Sequence, residues 1–293
     1  MNRKNNILYV SYEKLISDIR TNLYKIPKDI LGVIGIPRSG TIPATVISEY
    51  LNVGLTTIDS FLQNGIESFN NHGNRKLKNT ESNKILVVDD TCYNGNETKK
   101  NRLKLDIFNK QYEFIFMCIY LEGTCLIDKP DLYLMDIRQE ALNSEIGIAL
   151  YEWNIFHNPG IMNRTIFDLD GVICADPPDE RNTDKYIEYI KSPQTLLTPT
   201  VDKITICTYR LVKYKQETIN YLNSIGLCNC NLIMFSSNSY EERSKTPSYL
   251  YKAAVYNKLT DFKLFIESDD YQARKIKELT GKSVFCNTTN TMY

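Results

Sequence analysis

Two acid-bearing stretches are where this chain could do chemistry. In Ile85–Gly95, four apolar residues run into Asp89 and Asp90 and then into a turn ending at Gly95. In Thr165–Gly171, a shorter apolar run ends in Asp168 and Asp170, one residue apart, followed by Gly171. The first pattern describes a buried parallel strand that stops abruptly and re-enters a helix. That geometry turns backbone N–H groups and a helix N-terminus towards an anion. It also sets the acid pair at the carboxyl edge of a sheet, where ligands of open α/β folds bind. In the second pattern, extended-chain alternation puts both carboxylates on one side. Like charges so placed repel unless a cation joins them or they divide the work of nucleophile and acid/base. Taken alone, the first stretch also fits an ordinary strand and turn with an Asp cap, and the second an Asx-turn at a strand end.

The surrounding residues sharpen both. Upstream of Asp89, Gly35–Thr41 also follows an apolar run and precedes an amphipathic one, with small residues that allow close backbone approach and Arg38 as a charge-assisted donor. Together the two loops resemble those of the phosphoribosyltransferases, enzymes that use 5-phosphoribosyl 1-pyrophosphate (PRPP), over roughly residues 7 to 157. The resemblance implies that Arg38, Ser39 and Gly40 form a pyrophosphate loop and that Asp89 and Asp90 face the ribose hydroxyls as catalytic acids. Thr91, Asn94, Gly95, Asn96 and Thr98 would cradle the 5-phosphate. Between the loops, the polar stretch from Gln63 to Lys84 holds Gly65, Gly73, Arg75, Lys76 and Lys78. In this family a loop here closes over pyrophosphate, and Arg75, Lys76 and Lys78 would offset leaving-group charge. The cradle departs from the family pattern at Tyr93, Asn94, Asn96 and Glu97. Glu97 suits the outer face of a first helical turn, where a carboxylate is favoured.

Downstream of Asp170 come Thr208 at the end of an apolar run, Lys252 on a helix-length stretch, and a run at Leu264 that ends in acids. In this order they resemble the haloacid dehalogenase superfamily of phosphatases, over roughly residues 161 to 293. The resemblance implies Asp168 as nucleophile on phosphorus and Asp170 as acid and then base. It makes Thr208 a hydrogen-bond donor to the phosphoryl group and Lys252 a neutralising charge. Asp168, Asp170, Glu267 and Asp269 would hold Mg²⁺, with Asp270 competing for the last place, as Lys245 competes with Lys252.

These residues need strands to present them. Short apolar runs alternate with amphipathic stretches, which predicts an α/β chain of two Rossmann-like domains, each a mainly parallel sheet flanked by helices. Strands are expected near Gly32–Ile36, Ile85–Val88, Phe114–Tyr120 and Leu132–Met135, then near Thr165–Phe167, Ile204–Cys207, Leu232–Phe235 and Leu264–Ile266. The turn-like run from His157 to Gly160 places the division between residues 158 and 159. The stretch from Asp170 to Ile204 is too short for a large cap domain.

The 293 residues suit two compact domains. Lys plus Arg and Asp plus Glu each count 35, so no global field attracts nucleic acid and phosphate recognition must be local. The 8 cysteines show no paired zinc-ligand spacing, and Cys118, Cys174 and Cys207 sit in apolar runs, as reduced buried thiols do. No run of about 18 apolar residues spans a membrane, and the expectation is a cytoplasmic protein. The chemical order predicts a bifunctional enzyme. It would transfer 5-phosphoribose from PRPP to an acceptor, a sugar or lipid-linked glycan, and then remove the 5-phosphate. Nucleobase salvage with a nucleotide phosphatase, and a PRPP sensor without turnover, are the alternatives. The segment Tyr151–Phe156, with the only Trp, fits either an acceptor site or aromatic packing.

Overall fold

The computed structural model describes residues 6–70, 76–78, 80–177, 183–201 and 203–293. The chain is α/β throughout and divides into two compact units. One is Val10–Asn143. The other joins Ser144–Tyr293 to the opening segment that ends at Tyr9. This moves the division away from residue 158. The reason is the opening strand, β1 (Leu8–Val10), which pairs with β7 (Ala149–Tyr151). Ile7 is buried in one core with Leu150, Phe156, Phe167 and Phe285, and the Tyr9 ring packs 5.2 Å from that of Phe285.

The first unit runs α1 (Tyr12–Asn22), β2 (Ile30–Gly35), α2 (Thr41–Leu51), β3 (Gly54–Thr57), α3 (Ile58–Asn64), β4 (Lys84–Cys92), α4 (Asn96–Leu105), β5 (Glu113–Leu121), β6 (Leu132–Asp136) and α5 (Arg138–Asn143). Its sheet has the order β3-β2-β4-β5-β6 with every pairing parallel. Ile85 to Val88 are fully buried, as expected of a central strand covered on both faces. The strand does not end there. Asp89 pairs with Cys118 and Thr91 with Tyr120, so β4 carries its acids on the ladder itself. Local signals start α1: Ser11 accepts the Lys14 N–H at 3.1 Å, and Leu15 and Ile19 supply the buried face.

After β7, the second unit runs α6 (Pro159–Met162), β8 (Thr165–Phe167), α7 (Thr183–Lys191), β9 (Ile204–Leu211), α8 (Lys215–Ser224), β10 (Cys230–Phe235), α9 (Tyr240–Ser244), α10 (Ser248–Lys258), β11 (Leu264–Glu267), α11 (Asp270–Thr280), β12 (Ser283–Cys286) and β13 (Thr291–Met292). The sheet order is β10-β9-β8-β11-β12-β13, parallel up to β12, with β13 antiparallel at the edge. Ile155 and Phe156 of the Trp-bearing segment lie in this unit's core, and Trp153 packs on Tyr151 at 5.0 Å. That segment is packing material here. Among the described residues every cysteine is a free thiol, with Cys118, Cys174 and Cys207 buried, and no helix is long and apolar enough to cross a membrane.

Candidate functional sites

The first unit's cleft, about 330 Å³, opens at the carboxyl edge of its sheet. Two loops form its walls. The loop after β2 can lie against β4 because residue 40 is glycine: a β-carbon there would sit 2.7 Å from the carbonyl oxygens of both Ile36 and Val88. The loop is tied down by the Ile36 N–H to the Val88 carbonyl at 2.9 Å and the Thr41 hydroxyl to the Arg38 carbonyl at 2.7 Å. Its Pro37–Arg38 peptide bond is cis. Arg38 and Ser39 face the cleft, with the Arg38 side chain exposed.

Across from them, the Asp90 N–H donates to Asp89 Oδ1 at 3.0 Å and the Thr91 N–H to Asp90 Oδ1 at 2.9 Å. Burial first, and the neighbouring Asp90 second, push the Asp89 carboxyl well above the usual range. The chain then turns at Tyr93–Gly95. Asn94 Oδ1 accepts the Asn96 N–H at 3.0 Å, Gly95 adopts φ +87°, and α4 begins. Thr98 is buried at the cleft wall, and the exposed Glu97 also lines the cleft, where it pairs with Lys100 at 3.4 Å and adds to the repulsion on Asp89. Glu97 thus stands in the first turn of α4 but not away from the cleft, contrary to the expected outer-face position.

The loop after β5 backs this turn. The Cys125 N–H donates to the Tyr93 carbonyl and the Ile127 N–H to that of Asn94, both at 3.0 Å. Arg102 of α4 holds the same loop through Asp128 at 3.0 Å and Asp131 at 2.8 Å, with its guanidinium 4.4 Å from the Phe116 ring.

The structure thus gathers Arg38, Ser39, Asp89, Asp90, Thr91, Asn94, Gly95, Asn96 and Thr98 around one cleft, with Gly40 packed beneath. It does not bring the expected lysines there. Lys78 donates its N–H to the Asn52 carbonyl and its ammonium to that of Lys28, just before β2 begins, and the Lys76 carbonyl accepts from Asn52 at the end of α2. Both lie at the amino edge of the sheet, opposite Asp89. Arg75 and Gly73 fall outside the described residues.

The second unit's cleft, about 540 Å³, is lined by Asp168, Asp170, Lys252 and Asp269, together with Asp176, Tyr209 and Gln272. Strand β8 delivers Asp168 to the carboxyl edge, where its backbone N–H donates to the Ile266 carbonyl at 2.9 Å. From α10, the buried Lys252 ammonium donates to Asp168 Oδ2 and Glu267 Oε2, each at 2.7 Å, and to Gln272 Oε1 at 3.2 Å. Burial works against that ammonium, and the two carboxylates outweigh it and keep it charged. Two carboxylates share one ammonium, so Asp168 is pushed up, by burial first and by Glu267 next.

Several expected roles shift. Glu267 is fully buried: Oε2 is taken by Lys252, while Oε1 accepts the N–H groups of Ser268 and Asp269 at 2.9 and 3.3 Å. Asp269 caps α11 through the Gln272 N–H at 2.7 Å. Asp170 is gripped by Arg210, and Asp270 pairs with Arg274 at 2.8 Å and with Tyr293. The set Asp168, Asp170, Glu267 and Asp269 therefore does not close on one point. Among the described residues no three His, Cys, Asp or Glu side chains could together hold a metal ion. Mg²⁺ does not fit this cleft as those four residues stand. Thr208 also departs from expectation: it is fully buried and accepts the Arg210 N–H at 3.2 Å, while Tyr209 reaches the cleft. Lys245 is exposed, 4.0 Å from Glu241.

Sequence reasoning missed Arg210, Asp176, Tyr189 and Gln272. None of them had a signal in the sequence: Arg210 sits where the register of β9 shifts, which strand alternation does not anticipate.

No protein-family model matches the chain. Over 151 residues it is 28% identical to a xanthine-guanine phosphoribosyltransferase of Chromohalobacter salexigens, covering 49% of this chain and 86% of that protein. Among solved structures, it aligns with a xanthine-guanine-hypoxanthine phosphoribosyltransferase of Helicobacter pylori at 17% identity and TM-score 0.36, covering 50% of this chain and 94% of that one. A purine phosphoribosyltransferase of Pyrococcus horikoshii aligns at 17% identity and TM-score 0.33, covering 50% and 93%. The chain itself is α/β, with two mainly parallel sheets flanked by helices, and its first unit carries the two loops that wall the cleft.

Proposed function

We propose that the first unit transfers 5-phosphoribose from PRPP to an acceptor and releases pyrophosphate. One observation carries this reading: a single cleft joins the Arg38–Ser39 loop, the Asp89–Asp90 pair and the Thr91–Thr98 turn. Arg38 and the backbone of its loop would meet pyrophosphate, the turn at the start of α4 would hold the 5-phosphate, and the acids would face the ribose hydroxyls. Substitution at the anomeric carbon proceeds with oxocarbenium character, so positioning and charge neutralisation do most of the work. Mg²⁺ arriving on the pyrophosphate would supply part of that neutralisation. Similarity to the xanthine-guanine phosphoribosyltransferase of Chromohalobacter favours a purine base as acceptor. Tyr93, exposed at the cleft, offers a face on which a flat base could stack. Supplying PRPP and Mg²⁺ with guanine, xanthine or hypoxanthine and measuring pyrophosphate tests it. Release that needs none of these bases, or no release with any acceptor, would sink it.

The second unit favours a second reading. Asp168 against Lys252 suits attack on a phosphomonoester, and a sugar or glycan acceptor would leave such an ester to be trimmed. In that scheme Asp168→Asn accumulates a phosphoribosylated glycan, detectable by mass spectrometry. If the variant yields the same products as the wild type, the scheme fails.

A further inference from the structure

We propose that Arg210 is the positioning residue that fixes Asp170 for proton transfer in the second cleft; this rests on reading that cleft as a phosphomonoester-cleaving site. Arg210 is 1% exposed, the largest fully buried side chain among the described residues. A buried guanidinium is costly to desolvate unless its partners need it. Its partners are concentrated on one carboxylate. Nε lies 3.1 Å from both Asp170 oxygens and Nη2 lies 2.5 Å from Oδ1.

The backbone is shaped for this contact. Along β10, Met234 pairs with Thr208 but its neighbour Phe235 pairs with Leu211, so Tyr209 and Arg210 form a bulge in β9. A bulge re-aims side chains beside a site. Here Tyr209 reaches the cleft while Arg210 turns to Asp170 from behind. The Asp170 side chain keeps 20% exposure against 1% for Arg210, so the acid reaches the cleft and the base does not.

The two carboxylate oxygens are unequal. Oδ1 receives Nη2 of Arg210, the Tyr189 hydroxyl at 2.8 Å and the Cys174 thiol at 3.6 Å. Among the described residues Oδ2 has only the 3.1 Å contact to Nε, and it is the oxygen left to exchange a proton. Tyr189, on α7, lies within reach of both Asp170 Oδ1 and the Ala175 carbonyl, and its single proton can serve one of them at a time. It can therefore follow a change in the charge on Asp170 without moving.

In the step served, an Asp168 oxygen attacks phosphorus and the ester P–O bond breaks with its electron pair on the ester oxygen, which takes a proton from Asp170. Water then attacks the aspartyl-phosphate and returns a proton to Asp170, and the bond to Asp168 breaks to release inorganic phosphate.

The test compares ribose 5-phosphate, whose alkoxide needs that proton, with p-nitrophenyl phosphate, whose phenolate leaves without it. Arg210→Lys, which keeps the charge and loses the planar fork, should lower kcat for ribose 5-phosphate by roughly 10²- to 10⁴-fold. It should lower kcat for p-nitrophenyl phosphate far less and leave both KM values little changed. Added to Asp170→Asn, it should bring no further loss. Tyr189→Phe, a milder change, should show the same discrimination more weakly, and it carries the test if Arg210→Lys does not fold. Equal losses on both substrates, or additive losses in the double variant, overturn the proposal. If the wild type cleaves neither ester, the phosphomonoester reading itself falls and takes the proposal with it.

Discussion

The Cα of Gly95 faces the backbone carbonyl of Asp128 so closely that a β-carbon would lie 1.7 Å from its oxygen. With φ at +87° the position also disfavours any other residue. Gly95→Ala is expected to push the loop after β5 away from the turn and to destabilise the protein by roughly 1–3 kcal/mol. Urea unfolding would measure the loss, and PRPP binding by calorimetry should weaken. Unchanged binding would mean that the turn does not hold the 5-phosphate.

Asp89 sets function against stability. Its folded carboxyl is raised above the ordinary value of 3.8, by burial first. Between those two values the native state keeps a proton that the unfolded chain has lost. Stability therefore falls as pH rises through that window, and it stays lower above it. Asp89→Asn removes the effect. The variant should melt higher than the wild type near neutral pH, with the difference shrinking as pH falls towards 3.8. Pyrophosphate release should be lost at the same time. A variant that melts lower at neutral pH would show that Asp89 is stabilised by contacts rather than strained by burial.

Lys252 is the counter-charge for Asp168 and Glu267, and all three are buried. Removing the ammonium leaves two carboxylates facing each other away from water. Lys252→Met is expected to cost about 3–5 kcal/mol. Combining it with Glu267→Gln should recover part of that loss, because one of the stranded charges is removed. A double variant less stable than Lys252→Met alone would contradict the shared-charge account.

Arg102 ties α4 to the loop after β5 through Asp128, Asp131 and the Lys129 carbonyl. Arg102→Ala should destabilise by about 1.5–3 kcal/mol, the range for hydrogen bonds to charged groups, and raise the apparent Kd for PRPP. Thermal unfolding together with calorimetry checks both. A stability loss with unchanged binding would confine Arg102 to a structural role.

The sequence carried the central strands well because fully buried parallel strands read as unbroken apolar runs, as at Ile85–Val88 and Thr165–Phe167. It carried β4 only as far as Val88, because Asp89, Asp90 and Thr91 do not look like strand residues, although the ladder to β5 continues through them. β3, with two threonines and a glycine in four residues, offered no apolar signal. β1 and β7, three residues each, are held by a partner far away in the chain.

Site residues followed the same rule. Arg38, Asp89 and Thr98 are brought together by adjacent strand ends, and their spacing showed it. Glu267 looked like a metal ligand because a strand ending in an acid usually presents it; Lys252, arriving from a helix, claims that carboxylate first. The grip of Arg210 on Asp170 depends on a bulge, which only the pairing of β9 with β10 reveals.

The pairing of β1 with β7 has a consequence for the order of synthesis. Tyr9 leaves the ribosome well before Phe285, the ring against which it packs. At ~5–20 residues per second, the whole of Val10–Asn143 is made before β7 exists, so it can fold as an insertion while its leading strand waits. The second unit must then be finished by recruiting a segment made before the first unit. A fragment starting at Pro159 would lack both β1 and β7, leaving Phe285 without its Tyr9 partner.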